Sequence, residues 1–163
     1  MSQGNLVASD SLKTSPDYFI TKVRIKEFNR AGQLIETLNA EQTLHYLKDK
    51  KTLLEQPFIE RQAELGSWHA KAKKGSIEDG SRDILLTENA NATKKHINSA
   101  DITLSSDTIH YLDEDESLTS YGHAKLYSTQ GTTTAETIIA YINSEKVVMT
   151  RSVRGHYEPT PKN

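Results

Sequence analysis

The sequence contains no cysteine, which removes disulfides, iron–sulfur clusters and thiolate zinc sites while leaving the compartment open, since many periplasmic proteins also lack cysteine. It also lacks any run near the ~20 apolar residues that span a bilayer, and an apolar signal core near its start. Positive charge is not in excess either. Twenty Lys and Arg face 22 Asp and Glu for a net charge of -2, interspersed except for the acidic run Asp113–Glu116. Without a basic face there is nothing to neutralise a phosphate backbone, which excludes the nucleic-acid-binding class. Apolar residues make up only 35% of the chain, below the usual ~45–50%. A core built from so few must be thin and made of alternating residues, which favours sheets with one wet face. At 163 residues the chain is still long enough to bury a core as a single domain.

Catalytic machinery is absent as well. There is no Gly-x-Ser-x-Gly elbow and no Gly-x-x-x-x-Gly-Lys phosphate loop, so no enzymatic activity is expected. The six histidines, His45, His69, His96, His110, His123 and His156, include no close His-x-His pair, so they read as surface or strand-facing residues and no metal is expected. Asp113-Glu114-Asp115-Glu116 lacks the Asp-x-Asp-x-Asp-Gly spacing of a calcium loop and reads as a solvated turn. No cofactor is implied.

What is there is a series of short apolar segments. Residues 1–17 are polar and Ser-rich and read as a flexible N-terminal linker. Over Phe19–Lys26, strict alternation places Phe19, Val23 and Ile25 on one face and the cations on the other, the signature of a half-buried strand. Asn29-Arg30-Ala31-Gly32 then predicts a hairpin turn, because Gly takes a positive φ and Asn bonds its own backbone. Further strands are predicted at Gln56–Gln62, Trp68–Ala72, Ile84–Thr87, Ile102–Ser105, Thr108–Leu112, Ala124–Tyr127, Thr137–Asn143 and Val147–Val153. Between them lie the turn-forming segments 64–67, 78–80, 88–91, 105–107, 113–116, 128–131 and 143–145. Such spacing predicts an all-β sandwich, jelly roll or barrel. Gln33–Gln56 is ambiguous. Leu34, Leu38, Leu44, Leu47 and Leu54 fall at near-helical intervals among helix-forming residues, whereas a strand reading needs breaks near Asn39-Ala40 and at Lys48-Asp49-Lys50.

Taken in order, Asn29–Leu34, Ala40 through His45-Tyr46, Glu55-Gln56-Pro57 and Trp68–Ala72 resemble the periplasmic domain of the LptC family, and Val153–Pro159 resembles its closing strand. The resemblance covers residues 19–159. One departure is Glu88-Asn89-Ala90, where the family often has a Gly-Asn-Val turn. The resemblance implies a twisted antiparallel β-jelly roll of the OstA/LptA type with an open apolar groove, and so tips Gln33–Gln56 toward strands. It implies a domain over residues 18–159 with a short tail at 160–163. It also implies a periplasmic role in lipopolysaccharide transport and outer-membrane biogenesis: lipopolysaccharide is received from the inner-membrane LptB, LptF and LptG transporter and passed to LptA. Family members carry an N-terminal inner-membrane helix, so an excised soluble domain is expected here.

Under that reading, strand alternation nominates Val23, Ile25, Trp68, Ala70, Ile84, Leu86, Ile102, Leu104, Met149 and Val153 as lining the groove for lipid A acyl chains, with an ordinary packed core as the alternative. Burying a CH2 is worth about 0.8 kcal/mol, so a closed cavity would hold a twelve-carbon chain by roughly 10 kcal/mol and act as a trap. A conduit therefore needs only partial cover. The resemblance assigns the LptA-binding edge to Val147, Met149, Val153 and Gly155, and the LptF-binding edge to Tyr18, Val23 and Ile25, since free strand edges accept a neighbouring strand. The rival readings are a soluble LptA/OstA-like bridge protein and, from another class, a metal-dependent β-sandwich enzyme.

Overall fold

The computed structural model describes residues 15–150 and 153–157. The linker expected at residues 1–17 falls mostly outside these residues, and the tail expected at 160–163 wholly so. The described chain forms twelve strands, numbered in order: β1 (Tyr18–Phe28), β2 (Leu34–Tyr46), β3 (Lys51–Glu55), β4 (Phe58–Gln62), β5 (Gly66–Lys71), β6 (Lys74–Glu78), β7 (Ile84–His96), β8 (Ser99–Leu112), β9 (Ser117–Ser128), β10 (Gly131–Tyr141), β11 (Val147–Thr150) and β12 (Arg154–Tyr157). Every pairing is antiparallel. The architecture is the expected all-β jelly roll.

The register shows how one sheet makes two layers. The first half of β2 pairs with β4 through Glu36–Asn39, and its second half pairs with β3 through Gln42–Tyr46. Likewise β7 pairs with β6 through its first residues and with β5 through its last. Every long strand therefore crosses from one layer to the other at a common fold line. The crossings are marked by left-handed residues, Lys22 (φ 53) in β1, Glu88 and Asn89 (both φ 65) in β7, Gly122 (φ 82) and His123 (φ 54) in β9. Bulges fall at Thr87/Ala90, Ser105/Thr108 and Ala135/Thr137. A bulge sharpens the local bend and twist, which is what folding a sheet on itself requires. At Gly122 glycine is obligatory twice over, because an added Cβ would also stand 2.7 Å from an Asp107 carboxylate oxygen. Along the fold line the buried residues are small, Ala40, Ala72, Ala90, Ser106, Ala124 and Ala135, since only a short side chain fits where the two layers converge.

Several sequence expectations are corrected here. The segments at Glu88–Asn91 and Ser105–Asp107 are not turns between strands but kinks inside β7 and β8, because their backbone crosses the fold line while remaining in the ladder. Strand β6 was not anticipated. Val147–Val153 is not one strand: β11 pairs with β10 on one side of its bend, through Thr137–Ala140, and β12 on the other, through Gly131–Thr134. Gln33–Gln56 is extended, as β2 and β3 joined by the Leu47–Lys50 turn; its apolar residues gain burial from flanking strands, which overrides local helix propensity. The Asn29 turn forms as expected, its Oδ1 accepting from the backbone N–H of Ala31 at 2.9 Å and Gln33 at 3.0 Å.

Candidate functional site

Residues directly opposite one another in a ladder share a face, so the lining between the two layers can be followed strand by strand. One row runs Ile20, Thr43, Leu54, Gly75, Leu86, Ile109, Ser120, Ile138, Met149. Its exposure is graded: Ile20 is 54% exposed, Leu54, Leu86, Ile109 and Ile138 at most 1%, and Met149 half-buried. In the other layer Ile25 is 50% exposed while Leu38, Ile59, Ala70 and Leu104 behind it are buried. The lining is thus a packed core at the centre and reaches solvent at the ends of the roll. The cause is topological. Strand β1 has a neighbour on one side only, as do β11 and β12, so their inner faces are incompletely covered and their outer backbone groups have no partner among the described residues.

The mouth between the layers is strapped shut over the middle strands. Arg61, 5% exposed, lies on the inner face of β4. Its Nε donates to Glu36 Oε1 at 2.7 Å, its Nη1 donates to the Arg82 carbonyl at 3.0 Å, and Asp113 stands 3.6 Å away. Its guanidinium packs 4.8 Å from the Tyr111 ring centroid and 5.8 Å from that of Trp68, and the two rings stack at 4.6 Å. Arg82 extends the cluster to Glu27 at 3.0 Å and Glu36 at 3.3 Å. Burial pulls the Arg82 guanidinium down, but the hydrogen bond and charge of Glu27 and the charges of Glu36 and Asp113 outweigh it and raise its pKa. Burial pushes the Tyr111 phenol up to about 12, although Arg61 opposes the shift. A second strap joins the β4–β5 turn to the β10–β11 turn. Asn143 Oδ1 accepts from Leu65 N–H at 2.8 Å, and Lys94, 3% exposed, donates to the Ser144 carbonyl. Desolvation lowers the Lys94 pKa.

Of the sequence-nominated groove residues, Trp68, Ala70, Ile84, Leu86 and Leu104 are core residues at 2% exposure or less. Ile102 and Met149 are half-buried and packed against them, as is Val147, while Val23 is half-buried on β1. Ile25 is open to solvent on the inner face, and Val153 is half exposed in the link between β11 and β12. Gly155 lies on the edge strand β12, and Tyr18 opens β1, its ring stacked on His45 at 4.9 Å. Sequence alternation placed Phe19 with Val23 and Ile25. The kink at Lys22 shifts the phase, so that Tyr18 and Ile20 share the inner face and Phe19 points outward. No local signal in the sequence distinguishes Ile20 from Phe19; only the crossing of the fold line does. Among the described residues no three His, Asp or Glu side chains gather as a metal-binding group.

A family model described as Lipopolysaccharide-assembly, LptC-related matches residues 3–158 of the chain. Among solved structures, the chain is similar to LptH from Pseudomonas aeruginosa, described as the LptA-homologous periplasmic component of the conserved lipopolysaccharide transport device. The two share 11% identity with a TM-score of 0.64, over 76% of this chain and 95% of that one. At this identity the likeness is one of fold. No curated protein matches the sequence.

Proposed function

Because the chain belongs to the LptC-related lipopolysaccharide-assembly family, we propose that it is the periplasmic carrier domain that takes lipopolysaccharide from the LptB, LptF and LptG transporter and passes it to LptA. In the full protein this domain is held to the inner membrane by an N-terminal helix. The observation that carries this reading is the graded inner lining: apolar surface that is sealed at the centre, half-buried at the β11 edge and bare at the β1 edge. At the β1 edge Tyr18, Ile20 and Ile25 are each 50–54% exposed on the inner face, beside backbone groups available for strand addition. Half-covering six methylenes there contributes about 2–3 kcal/mol, enough to hold an acyl chain and weak enough to release it. Each added inter-strand hydrogen bond nets only about 0.5–1.5 kcal/mol, so docking at a short edge stays reversible. The β1 edge is read as the LptF-facing end and the β11/β12 edge as the LptA-facing end.

The test is a photoreactive residue placed in turn at Ile20, Ile25, Phe19 and Lys26 in cells making lipopolysaccharide. The inner positions Ile20 and Ile25 should yield lipopolysaccharide adducts and the outer positions Phe19 and Lys26 should not. Equal labelling of both faces, or no adduct from folded protein, overturns the reading.

A further inference from the structure

Successive residues of a strand point to opposite faces, so an outer row can be followed one residue off the buried lining of Leu38, Ile59, Ala70 and Leu104. It runs from Arg24 through Asn39 and Phe58 to Lys71. It continues through Asn91 and Ser105 to Lys125, and through Thr134 to Arg154. Four cations that are far apart in sequence thus stand in one line across the sheet, and no acid interrupts them. All four are exposed, and none of their side chains has a partner among the described residues, whereas Arg61, Arg82, Lys74 and Lys94 are engaged. The neighbouring outer row adds one cation, Lys26, and one acid, Glu60. A chain of net charge -2 therefore concentrates positive charge over these two rows, which the order of residues in the sequence conceals. Strands β5 and β9 lie inside the sheet, so Lys71 and Lys125 are not guards of a free edge.

Three clefts follow one another along the row. They measure about 610 Å3 at Arg24 and Asn39, about 310 Å3 at Phe58, Lys71 and Asn91, and about 440 Å3 at Lys125, Thr134 and Arg154. The first two share Gln56. With strands ~4.8 Å apart, successive cations stand roughly 10–15 Å from one another. That is too wide for a single carboxylate or phosphate to bridge two of them. It is also too sparse for a nucleic acid, which carries a charge every ~1.7 Å of duplex axis. It fits a linear polymer with one charge per few units. The groups between the cations set the polymer's class. Asn39, Asn91, Ser105 and Thr134 offer amides and hydroxyls, while half-buried Phe58 and Tyr127, 40% exposed in the neighbouring row, offer flat rings. Such groups suit sugar hydroxyls and the C–H faces of sugar rings. An extended peptide would instead add to a free edge or seek pockets for apolar anchors, and the backbone of these inner strands is already paired in the ladder. We propose that this outer row binds a linear acidic glycan, laid across the strands with its carboxylates at Arg24, Lys71, Lys125 and Arg154 and its sugars over the groups between them. The row is on the face turned away from Ile25 and Leu38, so it stands or falls apart from the carrier reading.

The experiment is a 15N-edited NMR titration of the full chain with a hyaluronate decasaccharide, which carries one carboxylate per disaccharide. The backbone amides of Arg24, Lys71, Asn91, Lys125 and Thr134 should shift together in one saturable event, while those of Leu86 and Ile109 in the core stay still. The hyaluronate disaccharide, which reaches only one cleft at a time, should bind at least roughly tenfold more weakly. Between 0.1 M and 1 M salt, where the screening length falls from about 10 Å to about 3 Å, affinity should drop by at least roughly tenfold. Arg24→Gln, Lys71→Gln and Lys125→Gln change exposed side chains and should each weaken binding several-fold with the fold intact; Lys48→Gln, a cation off the row, should not. An uncharged N-acetylated chito-oligosaccharide of equal length binding as tightly overturns the assignment. So does equal binding of poly-glutamate, which would make the partner an acidic peptide, or of single-stranded DNA. Shifts confined to one cleft, no shifts at all, or equal weakening by Lys48→Gln likewise overturn it.

Discussion

Truncating Arg61 to alanine tests whether the mouth of the roll is held by a buried ionic strap. The change deletes hydrogen bonds of 2.7 Å to Glu36 and 3.0 Å to the Arg82 carbonyl, and opens space against the stacked rings of Trp68 and Tyr111. Removing one partner of a buried pair costs about 3–5 kcal/mol. Here Arg82 remains 3.3 Å from Glu36, so that carboxylate is not wholly orphaned and the loss should lie near 3 kcal/mol. For a chain of this size that lowers Tm by roughly 6–12 °C. Trp68 is the only tryptophan and sits beside the deleted guanidinium, so its fluorescence in a urea titration reports the transition directly. The paired replacement Arg61→Met with Glu36→Leu should recover stability to within about 1 kcal/mol of the parent, because the cost lies in leaving a charge uncompensated rather than in losing an attraction. A loss below about 1 kcal/mol for Arg61→Ala would refute the strap and class the cluster with solvent-screened surface pairs.

Three further outcomes follow from the same geometry. Leu86→Ala at the sealed centre should cost about 2–5 kcal/mol in urea unfolding, and Ile25→Ala, on the same lining but half exposed, less than about 1 kcal/mol; equal costs would contradict the graded interior. Gly66→Ala should cost about 1–3 kcal/mol by overpacking, since the added methyl would collide with the Lys95 carbonyl and stand 2.7 Å from that of Ile142, both backbone atoms; unchanged stability would mean that the two layers do not approach there. Burial lifts Tyr111 from 10.0 to about 12, so the folded state keeps a proton that the unfolded chain releases near pH 10. Its contribution is intact below pH 10 and is lost between pH 10 and 12, by about 2–3 kcal/mol. Absorbance titration should show one tyrosine ionising late, coincident with unfolding, and Tyr111→Phe should flatten that limb.

Strand alternation and turn chemistry are local, and they were legible. Asn29–Gly32, Asp113–Glu116 and Asn143–Glu145 each end a strand where their residue types require, and the ordered motifs from Asn29 to Ala72 carried the family. Three things lay beyond local reading. Over Gln33–Gln56 a helical period and an extended one coexist, and the choice was made by strands β1, β3 and β4 flanking β2. The fold line has a trace in the alanines Ala40, Ala72, Ala90, Ala124 and Ala135, but its effect is to reset the alternation within a strand, which is why Ile20 rather than Phe19 joins Ile25. The candidate site depended on it most. Ile25 and Leu86 carry similar side chains on the same inner face, and one is half exposed while the other is sealed. A side chain's facing is decided by its own strand and its neighbours in sequence. Whether that face meets water is decided by how many strands lie beyond it and by what crosses the mouth above it, and those are properties of the assembled sheet.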